Sequence, residues 1–119
     1  MPNPVAHFQI LSKAPDDTAR FYTTLFGWTV NANNAMGYRR LDTGSNEGID
    51  GGIWPLPPQA QNFVQLFISV DDVKSSTQKA ESLGAKVVFP ITVGPDGDKM
   101  AVLLDPQGMP FGVWRQKKA

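Results

Sequence analysis

The sequence predicts an α+β fold made of two successive βαβββ halves, and three observations predict it. Short runs of alternating apolar and polar residues recur along the chain, the mark of half-buried strands. Two stretches carry helix-opening acids and a closing glycine. The order strand, helix, strand, strand, strand then occurs twice, with residue echoes in the same order. Asp16-Asp17 and Gly27 answer to Asp71-Asp72 and Gly84, and Gly52-Ile53-Trp54 answers to Gly112-Val113-Trp114.

The first half opens on Val5 to Leu11, where Ala6, Phe8 and Ile10 alternate with His7 and Gln9. Pro15-Asp16-Asp17 starts a helix, because proline suits the first helical position and acids suit its positive end. Phe21, Tyr22, Leu25 and Phe26 form its apolar stripe, and Gly27 ends it in a left-handed conformation. Short strands follow at Trp28 to Val30, Tyr38 to Leu41 and Gly48 to Trp54, separated by turns at Asn31 to Gly37 and Asp42 to Glu47. Trp28 suits either the core or a dimer contact. Pro55 to Asn62 reads as a linker, since prolines lack the ladder donor.

The second half begins with Phe63 to Val70, in which Val64, Leu66, Ile68 and Val70 share one face. Asp71-Asp72 opens a helix with the stripe Val73, Thr77, Ala80 and Leu83, and Gly84 closes it. Strands are predicted at Ala85 to Phe89, Met100 to Leu104 and Met109 to Trp114. The loop Pro90 to Asp98 carries a Pro95-Asp96-Gly97 turn, and Asp105 to Gly108 makes another. The 119 residues suit a single domain, with modules at about 5–54 and 63–114 and a linker at about 55–62.

Composition narrows the function. Eleven basic and eleven acidic residues give zero net charge, which argues against nucleic acid or an anionic membrane as partner. The basic cluster Arg115-Gln116-Lys117-Lys118 reads as a solvated tail. No apolar run is long enough to span a bilayer. With no cysteine, disulfides and thiolate chemistry drop out. The first residues do not resemble a secretory leader, so a cytoplasmic location is expected. Asp96-Gly97-Asp98 reads as an ordinary turn, because the later ligands of a calcium loop are missing.

Alternation also points to a site. If Ala6, Phe8, Ile10, Val64, Leu66, Ile68, Val70, Phe111 and Val113 lie under the helices, the opposite parity leaves His7, Gln9, Gly52, Trp54, Phe63, Gln65, Phe67, Ser69, Gly112 and Trp114. Large aromatics, two glycines and a few hydrogen-bonding groups suit a concave pocket for a small organic molecule. The same composition also suits a face packed away without ligand. Parity is ambiguous for Tyr38, Arg39, Arg40, Met100 and Val102.

These residues carry a family resemblance. His7-Phe8-Gln9-Ile10 with Asp16-Asp17-Thr18-Ala19-Arg20-Phe21-Tyr22-Thr23-Thr24-Leu25-Phe26-Gly27-Trp28 resembles the opening of the vicinal oxygen chelate superfamily. Gly51-Gly52-Ile53, Val70-Asp71-Asp72-Val73, Leu83 to Val88, Asp105 to Gly108 and Phe111 to Trp114 extend the match over nearly the whole chain. That superfamily includes glyoxalase I (lactoylglutathione lyase), bleomycin-resistance proteins and extradiol dioxygenases. The resemblance implies sheets curved around a cleft, usually in a homodimer.

In its metal-dependent members an octahedral divalent ion stabilises an enolate or similar anion. The resemblance puts the four ligand positions on His7, Gly52, Gln65 and Gly112, and one imidazole, one amide and two glycines make a poor metal site. Asp50 could replace one ligand. The sequence therefore reads as a small-molecule binder without a catalytic metal or other cofactor, with His7, Gln9, Trp54, Phe63, Gln65, Phe67 and Trp114 as ligand-binding candidates. One alternative is a metal-independent lyase or isomerase in which His7 transfers a proton on a carbonyl compound. Another is a structural or regulatory dimer with a packed cleft.

Overall fold

A computed structural model describes residues 3–32, 38–93 and 98–115. Most of the expected turn at Asn31 to Gly37, the Pro95-Asp96-Gly97 turn, all but Asp98 of the Asp96-Gly97-Asp98 run, and the tail beyond Arg115 lie outside the described residues. The chain divides into two compact units. One is His7–Gln65, and the other is Leu66–Ala119 with Met1–Ala6. The expected 55–62 linker thus belongs to the first unit, and each unit has the predicted βαβββ order.

The first unit contains β1 (Val5–Ser12) from His7 onward, α1 (Pro15–Phe26), β2 (Thr29–Asn31), β3 (Arg39–Asp42) and β4 (Gly51–Pro55). β1 pairs parallel with β4, and β4, β3 and β2 follow as antiparallel neighbours. A parallel pair needs a long crossover, which α1 and the two intervening strands supply. Pro15 occupies the first turn of α1 with Asp16 and Asp17, and Gly27 closes the helix at φ 74°, its N–H donating to Thr23 O. Ala19, Leu41 and Ile53 form the core, with Phe8, Ile10 and Trp28 packed on it.

The second unit contains β5 (Phe63–Ser69) from Leu66 onward, α2 (Val73–Ser82), β6 (Lys86–Val93), β7 (Lys99–Leu104) and β8 (Pro110–Arg115). β5 and β8 run parallel, and β8, β7 and β6 are antiparallel neighbours. Asp72 caps α2 by accepting from Ser75 N at 3.1 Å. Val70, Val73, Ala101, Leu103 and Val113 form its core, joined by Ile68, Ala80, Ala85, Val87 and Phe111. The Arg115 guanidinium donates to the Asp71 carbonyl.

Several expectations change. The α1 stripe does not bury: Ala19 is the only buried residue of the helix, while Phe21, Leu25 and Phe26 are each more than half exposed. Tyr22 and Phe26 stack on Trp28, which resolves that residue as a core neighbour. Leu83 is 69% exposed, because α2 ends before it. Val64 and Leu66, expected under a helix, are exposed, whereas Ile68 and Val70 further along lie against the α2 core. β6 continues through Pro90 to Val93 where a loop was expected. It pairs only with β7 in this unit and carries register shifts, the setting in which a strand tolerates proline. Pro55 likewise ends β4 opposite Ser12 instead of opening the linker.

Candidate functional site

Sheet register sorts the first unit into two faces. Phe8, Ile10, Gly51, Ile53 and Leu41 share the helix side, because paired residues point the same way and neighbours alternate. Arg39 takes that side too, where its guanidinium meets Asp16 of α1 at 2.8 Å. The opposite side receives Gln9, Gly52 and Arg40, which lie in one row of the ladder, with His7, Trp54 and Tyr38 at the same parity. This settles the ambiguity over Tyr38, Arg39 and Arg40.

Gly52 is the floor of this face. A Cβ built on it would fall on the hydroxyl and ring of Tyr38. The Tyr38 ring in turn packs on Trp54 with centroids 4.7 Å apart and planes at 34°. Gly52 is therefore required by close approach of a side chain, not by a turn: its φ is not positive. Beside it the Gln9 amide lies 3.4 Å from His7 Nε2. Gln9 is only 5% exposed, and its Oε1 is buried with no hydrogen-bond partner. Gln65, in the same unit, is equally buried and its Oε1 is also unpartnered. An unsatisfied buried acceptor costs about 1–3 kcal/mol, so two in one small unit call for a functional explanation.

Electrostatics on this face favour neutral groups. Burial, with a smaller contribution from the Arg40 guanidinium, holds the His7 pKa below its ordinary value, so the imidazole is uncharged at neutral pH. Burial raises the Tyr38 phenol above its usual range, partly offset by Arg40. Asp50 is lowered, first by accepting from the Thr43 backbone N–H and then from its hydroxyl, at 2.9 and 3.0 Å. Its carboxylate is thus engaged in closing the turn between β3 and β4.

In the second unit Trp114, Gly112, Met100 and Val102 share one face by register. Phe67 pairs with Gly112, and a Cβ on that glycine would stand 2.5 Å from the Phe67 ring. Phe67 is 1% exposed. It is a packed ring and not the open aromatic wall expected of it. Phe63 is corrected as well. It lines an open hollow with Ile10, Phe21, Tyr22 and Val64, residues of the α1 side, apart from His7 and Tyr38. Tyr38 is the site residue that sequence reasoning missed. Its alternation with Arg40 was available, but nothing in the sequence said which parity faced α1.

These geometries test the metal that the resemblance implies. Two of the four ligand positions are glycines whose side-chain volumes are filled by Tyr38 and Phe67. His7 is engaged with Gln9, and Asp50 with Thr43. Among the described residues no three His, Cys, Asp or Glu side chains come together as a possible ligand set. The donor set does not fit a divalent ion.

Comparison with known proteins places these features in context. The family model described as "Glyoxalase-like domain" matches residues 7–114. CFP32 of Mycobacterium bovis, provisionally named a glyoxylase, is 30% identical over 106 residues, covering 83% of this chain and 40% of the relative. The anthracycline biosynthesis protein DnrV of Streptomyces peucetius is 30% identical over 132 aligned positions, covering 97% of this chain and 48% of DnrV. The chain thus spans less than half the length of these curated relatives. Among solved structures, the hypothetical protein BH1468 of Bacillus halodurans superposes with a TM-score of 0.72 at 15% identity, covering 100% of this chain and 98% of that one. A glyoxalase/bleomycin resistance protein/dioxygenase superfamily member from Vibrio splendidus gives 0.66 at 14%, covering 97% and 100%. At such identities the structural likeness speaks for the fold. No helix among the described residues is long and apolar enough to cross a membrane.

Proposed function

As the chain belongs to the glyoxalase-like domain family of the vicinal oxygen chelate superfamily, we propose that it binds a small organic molecule without a catalytic metal, on the sheet face that carries His7, Gln9, Tyr38, Gly52 and Trp54. The observation that carries this reading is the Tyr38 ring seated in the side-chain volume of Gly52. It puts an aromatic surface and a hydroxyl where a metal-dependent relative would project a ligand. A buried acceptor beside packed aromatic rings is what a partly apolar ligand needs for contact area and orientation. We place the protein in the cytoplasm, consistent with a cysteine-free chain.

Two measurements test the reading. Elemental analysis after dialysis is expected to find no stoichiometric transition metal, and a retained equivalent would overturn the metal-free part. Titration with small planar organic acids is expected to quench tryptophan emission, and to do so far less in Trp54→Phe. Absence of any binding would leave the face as packing only.

The uncharged state of His7 favours a second reading, in which it accepts a proton from a bound carbonyl compound. Turnover abolished in His7→Ala with the fold intact would support it. We further propose that two copies associate. Phe21, Leu25 and Val64 leave an apolar surface exposed on the first unit. Light scattering at twice the monomer mass is the expected result.

A further inference from the structure

The orphaned acceptor on this face says something about what the ligand must offer. Gln9 Oε1 is closed to water and has no donor among the described residues. Turning the amide over would not cure this: its nitrogen would then lack an acceptor while its oxygen faced His7. Gln9 also sits opposite Gly52 in the ladder, and Gly52 lies beneath Tyr38, whose ring rests on Trp54. A polar atom in want of a donor therefore lies next to a pair of aromatic rings over a glycine floor.

We infer that the ligand is a planar aromatic or enolic molecule bearing a hydroxyl group, and that this hydroxyl donates its hydrogen bond to Gln9 Oε1 while the ring lies against Tyr38 and Trp54. The inference rests on the binding reading above and narrows it to a ligand class. Several features agree with it. The phenol and imidazole on this face are neutral, so neither demands a counter-ion from the ligand. Asp50 is occupied by Thr43. Arg40, in the same ladder row as Gln9 and Gly52, tolerates an acidic substituent at the rim. Because Gln9 Oε1 is shut off from solvent, a hydroxyl reaches it only when a covering side chain yields. Tyr38, whose ring lies over the glycine opposite Gln9 in the ladder, is placed to do so.

The test uses three matched naphthalenes, titrated calorimetrically into the full chain at pH 6.5. They are 4-hydroxynaphthalene-1-sulfonate, its 4-methoxy ether and naphthalene-1-sulfonate. All three are planar and soluble, and only the first can donate. It is expected to bind at least tenfold more tightly than the ether. In Gln9→Met, which keeps the side-chain length and removes the acceptor, the preference is expected to fall within twofold. Gln78→Met, a change at an exposed position of α2, is expected to retain it. The melting temperature of Gln9→Met is expected to equal or exceed that of the unaltered chain, because an unpaired acceptor has been removed; a merely structural role for Gln9 would lower it. Equal binding of all three probes overturns the hydroxyl inference and leaves the binding site standing. No binding by any of them overturns both. A preference that survives in Gln9→Met, or that is lost equally in Gln78→Met, overturns the assignment to Gln9.

Discussion

Placing a methyl group on Gly52 is the most direct probe of how this face is built. Gly52 has no positive φ, so the backbone itself accepts alanine, and in a strand alanine is favoured over glycine by roughly 0.5–1 kcal/mol. The obstacle is Tyr38, whose hydroxyl and ring occupy the volume the methyl would enter. The ring must swing away, giving up its packing on Trp54, an aromatic contact worth about 0.5–1.5 kcal/mol, and straining its own rotamer. Overpacking of this kind costs about 1–3 kcal/mol in total. Gly52→Ala should therefore destabilise the chain by that amount. In a Tyr38→Ala background the obstacle is gone, and the same substitution should stabilise by roughly 0.5–1 kcal/mol. Urea unfolding of the four proteins of this double-mutant cycle measures the coupling, expected on the order of 2 kcal/mol. Equal costs in both backgrounds would refute the claim that Tyr38 makes Gly52 necessary.

Other consequences follow from single residues. His7 is the only histidine, so one imidazole signal reports its titration by NMR, with a midpoint expected below the ordinary histidine value of 6.5. Since the folded value is depressed, the unfolded chain binds the extra proton first as pH falls. The stability contributed by neutral His7 is complete above pH ~6.5 and declines as pH drops through the folded value. His7→Phe should flatten that part of the stability profile between pH 7 and 5. Ile53 is fully buried in the first unit's core, and Ile53→Ala should cost about 2–5 kcal/mol in denaturant unfolding. Asp72→Ala removes the side-chain N-cap of α2 and should cost about 1 kcal/mol, with Asp72→Ser recovering most of it.

Much of the architecture was legible because its signals are local. Pro15 with Asp16-Asp17, Gly27 at a left-handed angle, the Asp72 cap and the period-two runs act within a few residues, and each marks an element end or a strand. The twofold echo told the topology, since a parallel first–fourth strand pair recurs in both units. Burial was harder to read. Phe21 and Leu25 have the spacing of a buried stripe yet lie outside, because spacing says which residues share a face and not whether anything covers it. The passage of β6 through Pro90 was hidden for a related reason: proline is excluded only where its missing donor would face a partner strand.

By itself the sequence determined the two βαβββ repeats, the family, and the poor donor set at His7, Gly52, Gln65 and Gly112. All of these depend on residue type and order along the chain. Tertiary structure alone decided that Tyr38 fills the space over Gly52, that Phe67 does so over Gly112, and that the oxygens of Gln9 and Gln65 are buried without donors. Tyr38 and Gly52 are fourteen positions apart in the chain. Their meeting depends on strand register and on which way a ring turns, and neither quantity is carried by any local stretch of residues.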